Sequence, residues 1–126
     1  MSELMTVPWS SILATYESFD DELAGGVLCR HLKALAENIA QSPFSDRIFG
    51  WTSHASLCVV PHPVSYPYDA PLLHVSQPTN EEVTFRYQDT LVSADQWTRT
   101  VAGDAAFECL SKFLANVGWV PEQVLP

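Results

Sequence analysis

The chain has 126 residues, 47% of them hydrophobic, and a formal net charge of −9 from 15 acidic and 6 basic residues. A single domain of this length buries about 65–70% of its unfolded surface, so a core can form without disulfides or metal. Six scattered Lys and Arg are too few to neutralise a phosphate backbone, which argues against direct nucleic-acid binding, whereas the acid excess favours a basic protein partner.

In chain order, Pro8 suits the first turn of a helix, where its missing N–H costs nothing. Trp9, Ile12, Leu13 and Tyr16 recur at helical spacing and predict a short helix from about Pro8 to Tyr16. The cluster Glu17, Asp20, Asp21 and Glu22 follows. Ser18 or Asp20 reads as the N-cap of a second helix, with the later carboxylates at the positive end of its dipole. That helix is expected to run to about Gln41, with Leu28, Leu32, Leu35 and Ile39 as its apolar stripe and Gly25-Gly26 weakening its first turns. Ser42-Pro43 ends it.

Ile48 to Val60 alternates as one extended piece. Trp51, Ala55, Leu57 and Val59 fall on one face, and Thr52, His54, Ser56, Cys58 and Val60 on the other. Pro61 to Pro71 breaks the pattern with four prolines and excludes a central strand. It predicts a stiff, extended arm that carries Tyr66 and Tyr68, aromatics of the kind enriched in binding sites. Leu72 to Gln77 and Glu82 to Gln88 predict an antiparallel hairpin around a turn at Pro78-Thr79-Asn80-Glu81. Val83, Phe85 and Tyr87 share one of its faces. Leu91 to Asp95 reads as a turn or a single helical turn, and Trp97 to Val101 as a further strand. Gly103-Asp104 opens the last helix with Asp104 as its cap. Its stripe is Ala106, Phe107, Leu110, Phe113, Leu114 and Val117, and Gly118 is its left-handed stop. Trp119 is expected to pack on the end of that helix, and Glu122 to Pro126 to fray.

These elements predict a single α+β domain over 1–126. It has two layers: an antiparallel sheet of three or four strands packed against N-terminal and C-terminal helices. No apolar run approaches the roughly 20 residues that span a bilayer, and Met1-Ser2-Glu3-Leu4-Met5 lacks the parts of a secretory signal. The expected location is the cytoplasm, with no membrane partner. The three cysteines, Cys29, Cys58 and Cys109, are odd in number and widely spaced, which argues for reduced thiols.

His54, Cys58, His62 and His74 are the sharpest candidates for a metal or a nucleophilic centre. If His54 and Cys58 lie on one strand, their Cα atoms are about 13 Å apart, too far for one ion. A Cys58 nucleophile with His74 as base requires cross-strand adjacency and a third orienting group such as Asp69 or Asp89. The expectation is therefore no metal, no cofactor and no catalytic residue.

Three function classes follow. The first is a non-catalytic acidic binding module, of the inhibitor or immunity type, holding a basic partner through Tyr66, Tyr68, Asp20, Asp21 and Glu22. The second is a small-molecule pocket protein or enzyme of cystatin-like or nuclear-transport-factor-like architecture, with Trp51, His54, His74 and Tyr87 lining the pocket. The third is a secretion-chaperone-like homodimer built on an apolar sheet face.

Overall fold

Apolar spacing sets the helices of the chain, whose computed structural model describes residues 5–22 (19–22 as backbone only), 30–53, 56–64, 71–79, 81–88 and 97–119. Helix α1 spans Trp9–Glu22. The Pro8 carbonyl accepts from the Ser11 and Ile12 N–H groups at 2.9 and 3.2 Å, so proline sits at the entry as its chemistry requires. Trp9, Ile12 and Tyr16 are buried, and the Trp9 indole N–H donates to the Ile48 carbonyl at 3.2 Å. Helix α2 spans Arg30–Ala40 and buries Leu32, Leu35, Ala36 and Ile39.

The division between these helices corrects the sequence expectation. The first helix does not stop at Tyr16, and the Glu17–Glu22 cluster does not begin the second. No glycine or proline interrupts the chain from Trp9 to Glu22, so the helix anchored by buried Tyr16 continues through the cluster. Asp20, Asp21 and Glu22 therefore lie in its last turn, where no basic residue accompanies them. α1 and α2 pack on one another. Gly25, Gly26 and Leu28 lie outside the described residues.

Ser42 closes the helical region. Its hydroxyl donates to the Ile39 carbonyl at 2.8 Å and accepts from the Phe44 N–H at 3.1 Å. A 3-10 turn over Pro43–Asp46 follows and buries Phe44.

Five strands then form a meander: β1 (Phe49–Ser53), β2 (Ser56–Val60), β3 (Leu72–Ser76), β4 (Glu82–Gln88) and β5 (Trp97–Ala102). Their spatial order is their chain order, and every neighbouring pair is antiparallel. The expected antiparallel sheet is thus present with one strand more than the upper expectation. The extra strand arises because Ile48–Val60 is a hairpin and not one extended piece. Ser53 pairs with Ser56, leaving only residues 54 and 55 between the strands. No Asn-Gly or similar turn pair marks this position, so the strand alternation runs through it unbroken. The register puts Trp51 opposite Cys58, hence on the same face.

Gly50 fits β1 beneath α1. A Cβ there would lie 2.6 Å from the Cys58 carbonyl oxygen and 3.3 Å from the Trp9 ring. The outer edge of β1 is partly closed by the N-terminal segment, whose Val7 N–H donates to the Gly50 carbonyl at 2.9 Å; the Met5 N–H donates to the Val64 carbonyl, beyond β2, at 2.8 Å.

Strand β5 leads through a 3-10 turn, Gly103–Ala105, into α3 (Ala106–Val117). Asp104 lies inside that turn, and no side chain caps α3. The Gly103 N–H is instead bound to the Glu81 carbonyl at 2.8 Å. The entry to α3 is thus fixed by backbone and not by the expected aspartate cap. Gly118 ends α3 as expected, with φ 76°, and the Trp119 N–H reaches back to the Leu114 carbonyl at 3.1 Å. Trp119 packs edge-on against Phe113 and Tyr87, with ring centroids 5.5 and 6.1 Å away.

All three helices take part in a single buried cluster with one face of the sheet. From the strands it takes Leu57, Val59, Leu73, Val75, Val83, Phe85 and Tyr87, and from the helical layer Tyr16, Leu35, Phe44, Leu110, Phe113 and others. By register, the opposite face carries Phe49, Trp51, Cys58, Val60, Leu72, His74, Thr84, Arg86, Thr98 and Thr100.

Candidate functional site

The face opposite the described helices gathers three of the candidates, Trp51, Cys58 and His74. One row crosses the sheet through Trp51, Cys58, His74, Arg86 and Thr98, each opposite the next. Directly opposed residues place their Cβ atoms about 4.5–5.5 Å apart. Cys58 and His74 are therefore adjacent across strands, the condition a nucleophile and base would need. Beside the row, the Thr84 and Thr100 hydroxyls are hydrogen-bonded at 2.8 Å.

The electrostatics oppose thiol catalysis. A thiolate–imidazolium pair requires the thiol to be acidified and the imidazole to be made more basic. Burial pushes the Cys58 thiol up to about 11. His74 is lowered, first by burial and then by the neighbouring Arg86 guanidinium. Both groups are held in their neutral forms near neutral pH. Cys109, on α3, is also raised by burial, although Arg99 and Lys112 oppose the shift.

Cys58 yields a test. Its folded-state pKa lies above the unfolded value, so its contribution to stability is complete below about pH 9 and is lost as pH rises towards 11. The loss is expected to be on the order of 2 kcal/mol. Urea midpoints measured from pH 8 to 11 should fall less steeply in Cys58→Ala than in the parent. Parallel slopes would show that this thiol does not titrate in the unfolding reaction.

The remaining candidates do not converge on this row. Tyr87 points to the helix layer, packed on Phe113 at 5.1 Å. It also lines an open pocket of about 340 Å³ with Arg86, Gln88, Trp97 and Thr98. Trp51 and His74 face the other side of the sheet from Tyr87. His54, Tyr66 and Tyr68 lie outside the described residues, as do Asp69 and Asp89. Asp20, Asp21 and Glu22 are placed by their helical backbone on α1, and Glu17 is exposed on the same helix. Exposed His62 stands beyond the end of β2, with its Nδ1 3.3 Å from the Pro63 carbonyl. Among the described residues, no three His, Cys, Asp or Glu side chains gather as metal ligands.

No family model, curated protein or solved structure matches this chain.

Sequence reasoning missed one surface feature. An open, mostly apolar groove of about 440 Å³ is lined by Thr6, Val7, Pro8, Trp9, Ser10, Ser45, Phe49 and Pro63. Four separate stretches of chain build it, so no local pattern could announce it. Among the described residues, no helix is long and apolar enough to cross a membrane.

Proposed function

We propose that this chain is a non-catalytic binding module that holds a basic protein partner through its acidic surface. The observation that carries this reading is the position of Asp20, Asp21 and Glu22 in the last turn of α1. Carboxylates there add to the negative end of the helix dipole, where cations would be stabilising. Their placement is a cost to the helix, and together with exposed Glu17 it concentrates negative charge at one end of α1. A basic partner would offset that cost on binding, and the net charge of −9 would speed its approach. The neutral states of Cys58 and His74 support binding over covalent chemistry. Tyr66 and Tyr68 are the proposed aromatic anchors.

The test is calorimetric titration with a partner co-purified and identified from the source cells. The combined variant Glu17→Gln, Asp20→Asn, Asp21→Asn, Glu22→Gln is expected to weaken binding at least about tenfold, equivalent to about 1.4 kcal/mol. Raising the salt concentration should also weaken the parent complex. An acidic partner, or equal affinity of parent and variant, would refute the proposal.

A further inference from the structure

The helix-free face differs in charge from the rest of the molecule. The chain carries 15 acidic residues, yet by register Glu82 is the single acid among the described strand residues of this face, and Arg86 the single Lys or Arg. The remainder are hydroxyl, aromatic and aliphatic side chains with the Gln88 amide and the Cys58 thiol, and His74 is held neutral beside Arg86. Depletion of charge with aromatic residues present is the composition of an interface centre. A basic partner would gain little from such a face. A partner as acidic as this chain could approach closely here, where the repelling carboxylates are sparse.

The two charges also have a self-complementary arrangement. Glu82 and Arg86 lie on the same strand with Thr84 midway between them. Both are exposed. Among the described residues Arg86 makes no ion pair, and the Glu82 carboxylate accepts a long hydrogen bond, 3.4 Å, from the Thr79 hydroxyl. A two-fold axis lying in the plane of contact, across β4 at Thr84, would reverse the strand direction in the second copy. Each Arg86 would then stand over the partner's Glu82, and each Glu82 over the partner's Arg86. Isologous contacts require this reciprocity.

From this charge pattern we infer that the helix-free face of the sheet is a self-association surface, on which a second copy of this chain packs face to face about a two-fold axis at Thr84. Sheets stacked in this way lie about 10 Å apart with their strands roughly aligned. Cys58 and Val60 are already buried, so β2 adds little to the accessible face, which takes in half-buried Phe49 and Trp51 of β1 and the residues of β3 to β5. An association held by one reciprocal pair of charges on a partly buried face is expected to be weak and concentration-dependent.

The experiment is sedimentation equilibrium of the full chain over a concentration series, with circular dichroism to confirm folding. The parent is expected to show a reversible monomer–dimer equilibrium. Arg86→Glu and Glu82→Arg singly should each weaken it about tenfold, by setting like charges against each other. The double variant Glu82→Arg, Arg86→Glu should regain the parent constant to within about threefold. Neutralising the α1 carboxylates should leave the dimer intact, which separates this inference from the basic-partner proposal. A monomer at every concentration would overturn the inference. So would a dimer indifferent to the single variants, or a double variant no better than the singles.

Discussion

Phe85→Ala is expected to destabilise the protein by about 3–5 kcal/mol, a large share of the roughly 5–15 kcal/mol that holds a domain together. Phe85 lies in the middle of β4, opposite Val75 on one side and Arg99 on the other. Its exposure is 0%, and it points into the cluster shared with α1, α2 and α3. Truncation removes the ring's transfer energy and leaves a cavity that strands tied on both sides cannot collapse to fill. Urea unfolding should show a lower midpoint with little change in slope, since the surface exposed on unfolding is nearly the same. Asn116→Ala, at an exposed position on α3, should stay within about 0.5 kcal/mol of the parent. A loss below about 1 kcal/mol for Phe85→Ala would show that the helix-covered face has been assigned to the wrong side of β4.

That assignment was legible in the sequence because β4 alternates without interruption. Val83, Phe85 and Tyr87 are buried while Glu82 and Arg86 are exposed, as period-two spacing requires. The stripes of α2 and α3 and the glycine stop at Gly118 were legible for the same reason, since each is a local pattern with one physical reading. Two expectations failed where the local pattern had two readings. Glu17–Glu22 suits either an N-cap or a continuing helix, and the burial of Tyr16 decided for continuation. The alternation from Ile48 to Val60 suits either one strand or a tight hairpin, and long-range pairing of β2 with β3 decided for the hairpin.

The candidate site was less legible than the fold. The adjacency of Cys58 and His74 depends on which strands become neighbours, and a single-strand reading of Ile48–Val60 placed Trp51 and Cys58 on opposite faces. The hairpin puts them in one row. The same change of parity separates Trp51 from Tyr87, whereas the β3–β4 register sets His74 on the other face from Tyr87. The weak charge of the helix-free face could be seen only once the five strands were in register.

Gly103→Ala is expected to cost about 2–3 kcal/mol, the scale of overpacking in a closely packed site. The substitution looks innocuous, since alanine is small and the position adjoins a helix. However, a Cβ at Gly103 would lie 2.2 Å from Cγ and Nδ1 of His31 and 2.3 Å from Cδ2. Cγ is the root of the imidazole, so the ring cannot avoid the methyl by a small swing of its far end. Nor are the backbones free to separate. The His31 N–H donates to the Gln77 side-chain oxygen at 2.9 Å, with Gln77 itself 8% exposed. The Gly103 N–H donates to the Glu81 carbonyl at 2.8 Å. The start of α2, the end of β3 and the entry to α3 therefore meet at a point where glycine supplies the missing volume. If this account holds, His31→Ala should relieve the clash, and the double variant should be more stable than Gly103→Ala alone. A double-mutant cycle is expected to give a coupling of at least about 1 kcal/mol. Additive losses would place the strain elsewhere, and a Gly103→Ala variant as stable as the parent would show that the His31 ring does not rest on Gly103.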